Sequence, residues 1–301
     1  MMKRTVYAVG SFLAGALLCV ALVLHMDASA QEWARLLGGL SWPWAVAVAG
    51  LTILMWWSGS RKWALWSLAL HGEAGAEPSA GFFFRHFAWQ NWFGQFVPPP
   101  LAIIFGRSWA TRYMRGISMR EGAGSGLADQ GMEFALLAGL LPAAFLVFYN
   151  HVSWAAWLSV SFTGMAAVAG GIWFFRSRFP GALQASLLPL LAWSAVRVCL
   201  TVARLAAGAP ALGLSLDPVS VAAAAPVVAL LALLPLTPGN LGLAEWGWAG
   251  VLVYGGADIV DAGLYALGFR VLLLVMQSVL ILAFGVPYPA FNKKQKETEG
   301  L

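Results

Sequence analysis

The chain has 301 residues, 60% of them hydrophobic and 10% charged, with a formal net charge of +5. Soluble domains carry about 25% charged residues, so this composition and a mean hydropathy of +0.75 exclude a soluble globular enzyme. They predict an all-α, polytopic membrane protein with a single membrane domain over 1–301, since no polar stretch is long enough to form a separate domain.

The basic residues fall in short clusters between apolar runs, as cytoplasmic loops do, and this sets the topology. Lys3 and Arg4 place the N-terminus inside. The run from Val6 to Leu24 ends shortly before Ala28-Ser29-Ala30, which has the look of a signal-peptide cleavage site. It is longer than a signal core of about 7–15 residues, so it reads as a retained first span. Residues 43–59 return to the inside, where Arg61 and Lys62 follow Met55, Trp56 and Trp57.

Segment 82–105 breaks the pattern. It contains Arg85, His86, Gln90, Asn91 and Gln95, then Pro98, Pro99 and Pro100. If it crossed, Arg107, Arg112, Arg115 and Arg120 would lie outside, against the distribution of basic residues. Irregular backbone at membrane depth survives only inside protein or beside a water-filled cavity. A re-entrant hairpin from the cytoplasm is therefore expected. It leaves 107–130 on the cytoplasmic surface, with Gly122, Gly124 and Gly126 in a flexible loop.

Segment 131–149 then leads out, 153–175 returns to Arg176 and Arg178, and 183–205 leads out again. Lys293, Lys294 and Lys296 place the C-terminus inside, so 263–288 runs inward from a solvated outer loop holding Asp258 and Asp261. That leaves 218–257, interrupted at Pro235, Pro238, Gly239, Asn240 and Gly242, as a second re-entrant hairpin that enters from outside. The expected architecture is six spanning helices plus two re-entrant broken helices. Halves 1–150 and 151–301 then follow one plan in opposite orientation, an inverted repeat. The alternative is an eight-helix bundle with two kinked members.

Ionisable side chains within membrane segments are functional candidates by default. Glu245 follows the Pro238-Gly239-Asn240 break, and Arg270 lies mid-span. Arg197 and Arg204 are seven apart and share a helix face with Ser194 and Thr201. Arg107 follows the first hairpin. Each has a plainer reading: Arg204 snorkels near its helix end, Arg107 is a cytoplasmic anchor, and Glu245 is a structural partner for an arginine. Arginines outnumber acids here, and guanidinium groups bind phosphate in bidentate fashion, so an anionic lipid is the expected partner. Cys19 and Cys199 lie in apolar runs and read as packing residues, and the four histidines have no metal-ligand spacing. No cofactor and no metal are expected.

The block Pro235, Pro238, Gly239, Gly242, Glu245, followed by Arg270, resembles the membrane region of the lysylphosphatidylglycerol synthase, flippase-like family. Asn240 stands where a second glycine is common, and Ala244 where a basic residue often precedes the glutamate. Asn91, Pro98, Gly106, Gly116, Ile117 and Ser118 match the family's other block loosely, with Arg107 in place of its acid. The resemblance runs over about residues 6–288. It implies a lipid-translocating protein with two re-entrant helices, and the soluble aminoacyl-transferase domain of well-known members is not expected in these residues.

The resulting expectation is a bacterial inner-membrane protein, both termini cytoplasmic, that translocates an anionic phospholipid or a polyprenyl-phosphate-linked lipid. Glu245, Arg270, Arg197, Arg107, Arg204, Asn240 and Asn91 are the candidate head-group contacts. Pro98, Pro99, Pro100, Pro235, Pro238, Gly239 and Gly242 are the candidate hinges. Two alternatives stand: an integral-membrane enzyme acting on a lipid-linked head group, or a non-catalytic partner of a separately encoded lipid-modifying enzyme.

Overall fold

The computed structural model describes residues 2–72, 80–115, 118–150, 152–231 and 237–284. Among them every regular element is a helix. In chain order these are α1 (Met2–Met26), α2 (Ala30–Gly38), α3 (Trp42–His71), α4 (Ala80–Phe93), α5 (Pro99–Arg115) and α6 (Met119–Ala138). There follow α7 (Leu141–Asn150), α8 (Trp154–Phe174), α9 (Gly181–Ala211), α10 (Pro218–Leu231), α11 (Leu243–Tyr254) and α12 (Ile259–Phe284).

Four of the described helical segments are long and apolar enough to cross a membrane: Met119–Tyr149, Trp154–Arg178, Gly181–Ala211 and Ile259–Phe284. A fifth is counted if α1 and α2, bent by 109° at the break between them, form one span. The distribution of side chains fits a bilayer. Leu17, Phe174 and Leu282 are among many large apolar residues on the outer surface, while Lys62, Arg107 and Asp129 are wholly buried. In lipid, apolar groups can face outward and polar groups must find partners inside.

Local chemistry sets the helix ends. Ser29 and Glu32 form a capping box that starts α2, and Ser118 and Glu121 form another at α6. Asp217 and Asp258 accept backbone N–H groups at the starts of α10 and α12. Asp261, in the first turn of α12, also pairs with Arg35 of α2 at 2.8 Å. The expected outer loop is thus a helix start held by an ion pair.

The packing falls into two similar sets. Helix α3 packs on α4, α4 on α5 and α5 on α6; correspondingly, α9 packs on α10, α10 on α11 and α11 on α12. Across the sets, α12 touches α4 and α6 touches α10, while α3 and α9 lie along each other at the centre. Segment ends also group by side. Ser41 donates to the Ala211 carbonyl, and Tyr149 meets Tyr254. At the other end Phe84 meets Phe284, and Trp66 packs near Leu183 and Phe179.

The structure corrects three expectations. Residues 119–138 are a helix, not a surface loop. Gly122 and Gly126 are buried against α5, and a Cβ on Gly122 would lie 2.7 Å from the Ser108 Cα. The glycines let two helices approach closely. Secondly, α3 runs on to His71, so Lys62 lies inside a helix with no exposure rather than in a loop beside Arg61. Thirdly, Arg107 is fully buried and is not a surface anchor.

Candidate functional site

Both expected breaks are present. The first separates α4 from α5 at residues 94–98 and ends at Pro98, immediately before the α5 start at Pro99-Pro100. The second lies between α10 and α11. Its described part is a short 3-10 turn over Pro238–Asn240, while Pro235 lies outside the described residues. Gly239, Asn240 and Gly242 have φ of 58°, 56° and 79°. Left-handed backbone favours glycine and tolerates asparagine, which explains why the apolar run carries these residues.

Glu245 sits in the first turn of α11. Its Oε2 accepts the Gly242 N–H at 2.6 Å, and its Oε1 pairs with Arg270 of α12. A carboxylate here satisfies an N–H that lipid could not, and it complements the helix dipole. The other Arg270 nitrogen donates to the Gly239 carbonyl at 3.0 Å and to the Gln95 carbonyl at 3.1 Å. One guanidinium thus ties the two helix breaks together inside the bundle.

A second charge cluster joins four helices. Asp129 of α6 accepts from Lys62 and Trp66 of α3, at 2.8 and 3.0 Å, and from Arg107 of α5. Glu133, one turn further on α6, pairs with Lys62 and, at 2.7 Å, with Arg197 of α9. Phe87 of α4 lies between two of these cations, 5.9 Å from the Arg107 guanidinium and 4.7 Å from that of Arg197. Arg197 therefore partners Glu133 and not Glu245. Lys62, Asp129 and Glu133 escape a sequence reading. The only available signals were the four-residue spacings Lys62–Trp66 and Asp129–Glu133, which put each pair on one helix face.

Arg204 completes the set. It lies seven residues before the end of α9, half-buried, with no ion pair or hydrogen bond among the described residues. It borders two cavities, of about 240 and 230 Å³, which share Gly94, Gln95, Arg204 and Ala229 in their walls. The first cavity also touches Asn240, Glu245 and Arg270; the second touches Asn91, Glu133 and Arg197. Of the candidate contacts, the structure thus gathers Glu245, Arg270, Asn240, Arg204, Arg197 and Asn91 around adjoining cavities. Arg107 borders neither.

Charge in this interior does not cancel. Lys62, Arg107 and Arg197 face Asp129 and Glu133, Arg270 faces Glu245, and Arg204 faces none. Two apolar grooves, of about 290 and 310 Å³, lie elsewhere: beside α8 and α9, and between α2 and α12. Among the described residues no group of histidine, cysteine and carboxylate side chains could hold a metal ion. Compared with family models, curated proteins and solved structures, the chain matches none, so its geometry has to carry the functional reading.

Proposed function

We propose that this chain is a six-span protein of the bacterial inner membrane that carries an anionic lipid head group between leaflets, as its resemblance to the flippase-like family implies. In this reading α1, α3, α6 with α7, α8, α9 and α12 span. The pairs α4–α5 and α10–α11 re-enter from opposite sides, and both termini face the cytoplasm. The matched packing of α3–α6 and α9–α12 supports an inverted repeat. The grouping of 41, 149, 211 and 254 at one end, and of 66, 84, 183 and 284 at the other, supports the sidedness drawn from the basic residues.

One observation carries the functional part. Two helix breaks meet at a single ion pair, Glu245–Arg270, beside cavities that hold the unpaired cation Arg204. Transporters of inverted-repeat design use broken helices of this kind around a substrate near the midplane. A net positive interior beside polar-lined cavities suits a phosphate ester, and apolar grooves on the flanks suit acyl chains. The acid and base of the pair also give the two hairpins a contact that can open and re-form.

The test is leaflet exchange in reconstituted vesicles containing a fluorescent phosphatidylglycerol, with mass spectrometry of the recovered lipid. Wild-type protein is expected to speed exchange without changing lipid mass, and Glu245→Gln to fold but lose exchange. A change in lipid mass would favour the enzyme reading. No exchange by the isolated protein, restored by a co-purifying enzyme, would favour the partner reading.

A further inference from the structure

The inverted plan gives α1 and α8 matching places, each the span that precedes a set of four helices. They do not pack alike. Helix α8 lies mainly on α7, α6 and α9 and has no comparable packing on α4 or α5. Helix α1 lies on α12, but also on α11 and on the 3-10 turn of the second break. A helix therefore covers the second break, while Phe93, Phe96 and Leu101 beside the first are exposed.

The seat of α1 is close. A Cβ on Gly15 would lie 2.8 Å from the Leu241 carbonyl oxygen, and one on Gly242 would lie 2.6 Å from the Gly15 carbonyl oxygen. Small residues here let backbone meet backbone directly over the break that precedes Glu245. Further along α1, the Trp246 indole donates to the Leu18 carbonyl at 2.8 Å, and its ring lies 5.5 Å from that of His25. Met26 is buried against Gly263 at the start of α12. Irregular backbone at membrane depth has to be covered by protein or line water, and on this flank α1 is the cover.

Its attachment is uneven. Residues 10–26 form no ion pair among the described residues. The joint to α2 bends by 109°, and Asp27 within it has a φ of +49°. Element-terminal residues in sparse backbone regions are where hinge motion is absorbed. Beyond the joint the chain is fixed. Arg35 of α2 pairs with Asp261 at 2.8 Å, Leu36 is buried, and the Ser41 N–H donates to the Ala211 carbonyl at 2.9 Å.

We propose that α1 is a lateral gate over the second hairpin. It pivots at Asp27 on the anchored α2, and lifting it from Leu241 and Trp246 opens the Glu245–Arg270 break to lipid of the outer leaflet. Access is then asymmetric, because α8 leaves the first hairpin uncovered on the matching flank. This rests on the translocation reading above for what passes the gate, but the motion itself does not.

Pulsed electron resonance of the whole protein in phosphatidylglycerol nanodiscs tests the motion, with Cys19 and Cys199 replaced by serine. Spin labels replace Leu17 of α1 and Val279 of α12, both exposed. The labelled protein is expected to show a docked distance and a longer one. Trp246→Phe removes the indole bond to Leu18 and is expected to raise the ratio of long to docked by about three- to tenfold, the weight of one hydrogen bond. A single docked distance with and without Trp246→Phe overturns the gate.

A disulfide tests passage. A Cβ on Gly15 would lie 3.1 Å from the Leu241 Cβ, a few tenths of an ångström inside the usual disulfide range of about 3.5–4.5 Å. Gly15→Cys with Leu241→Cys, in the same background, can therefore lock the seat. Leaflet exchange of fluorescent phosphatidylglycerol is expected to be lost on oxidation and restored on reduction, so the reduced protein is its own control. Unchanged exchange with the disulfide closed overturns the gate. Should the cysteine pair fail to fold, the distances still decide whether α1 lifts. Two distances without exchange by the wild type would leave the hinged helix standing and remove the transport reading alone.

Discussion

Gly239 and Gln95 meet where the two helix breaks cross. A Cβ on Gly239 would lie 2.2 Å from the Gln95 carbonyl oxygen and 3.1 Å from an Arg270 nitrogen, and its φ is +58°. Two independent reasons thus require glycine there: a left-handed backbone and the absence of room.

Gly239→Ala is therefore expected to lower the melting temperature in detergent and to abolish lipid exchange. Left-handed backbone alone costs an L-residue about 1–2 kcal/mol, and the clash with backbone adds to it. Gly250→Ala is the control. It lies on exposed α11 surface with nothing within 4 Å of the added Cβ. There alanine should be neutral or stabilise by about 0.5–1 kcal/mol. Equal melting curves for the two variants would separate the breaks.

Arg270→Lys keeps the charge and loses the fork. A lysine amine can reach Glu245 but cannot also hold the Gln95 and Gly239 carbonyls in the same geometry. Each buried carbonyl left unpaired costs about 1–3 kcal/mol. The expected outcome is a folded protein with reduced thermal stability and slow exchange. Wild-type behaviour of this variant would reduce Arg270 to a point charge.

The Asp129 cluster separates structural from functional acids. Asp129→Asn leaves Lys62 and Arg107 facing one fewer anion with no exposure to water. Breaking such a buried network costs about 3–5 kcal/mol, so poor accumulation in the membrane is expected. Glu133→Gln should be milder in stability, because Glu133 and the Arg197 it would leave unpaired both border a cavity, whereas Asp129 and Arg107 border none of those described. A fluorescence or light-scattering melt of the purified variants ranks them. The reverse ranking would contradict the burial.

Topology is tested with Cys19 and Cys199 replaced by serine. A cysteine at Ser118 should react with an impermeant maleimide only after the cells are opened. Cysteines replacing Tyr149 and Tyr254, whose rings lie 6.1 Å apart, should be joined by a short bifunctional thiol reagent added to intact cells. Labelling of position 118 from outside would remove the first re-entrant pair.

A retained first helix is the remaining expectation. Intact-mass measurement decides it, because a mature protein beginning at Gln31 would lack α1 and place its new N-terminus outside.

The sequence by itself determined the helical membrane class, both interruptions and the acid that follows the second. These are local matters. Apolar runs must hydrogen-bond internally in lipid, and Gly239, Asn240 and Gly242 announce a backbone that ordinary residues avoid. The capping pattern Ser118-x-x-Glu121 was also in the chain, but the glycines after it obscured a helix whose small face serves a neighbour. Only the tertiary structure decided which charges meet. Lys62 finds Asp129 and Glu133, Arg197 chooses Glu133 over Glu245, and Arg204 is left facing two cavities. The physical reason is that the acids on one face of α6, Asp129 and Glu133, cannot face lipid and are buried where α3, α5 and α9 supply Lys62, Arg107 and Arg197. Hydropathy records what a segment can face, and the choice between water, lipid and another helix belongs to packing across the whole chain.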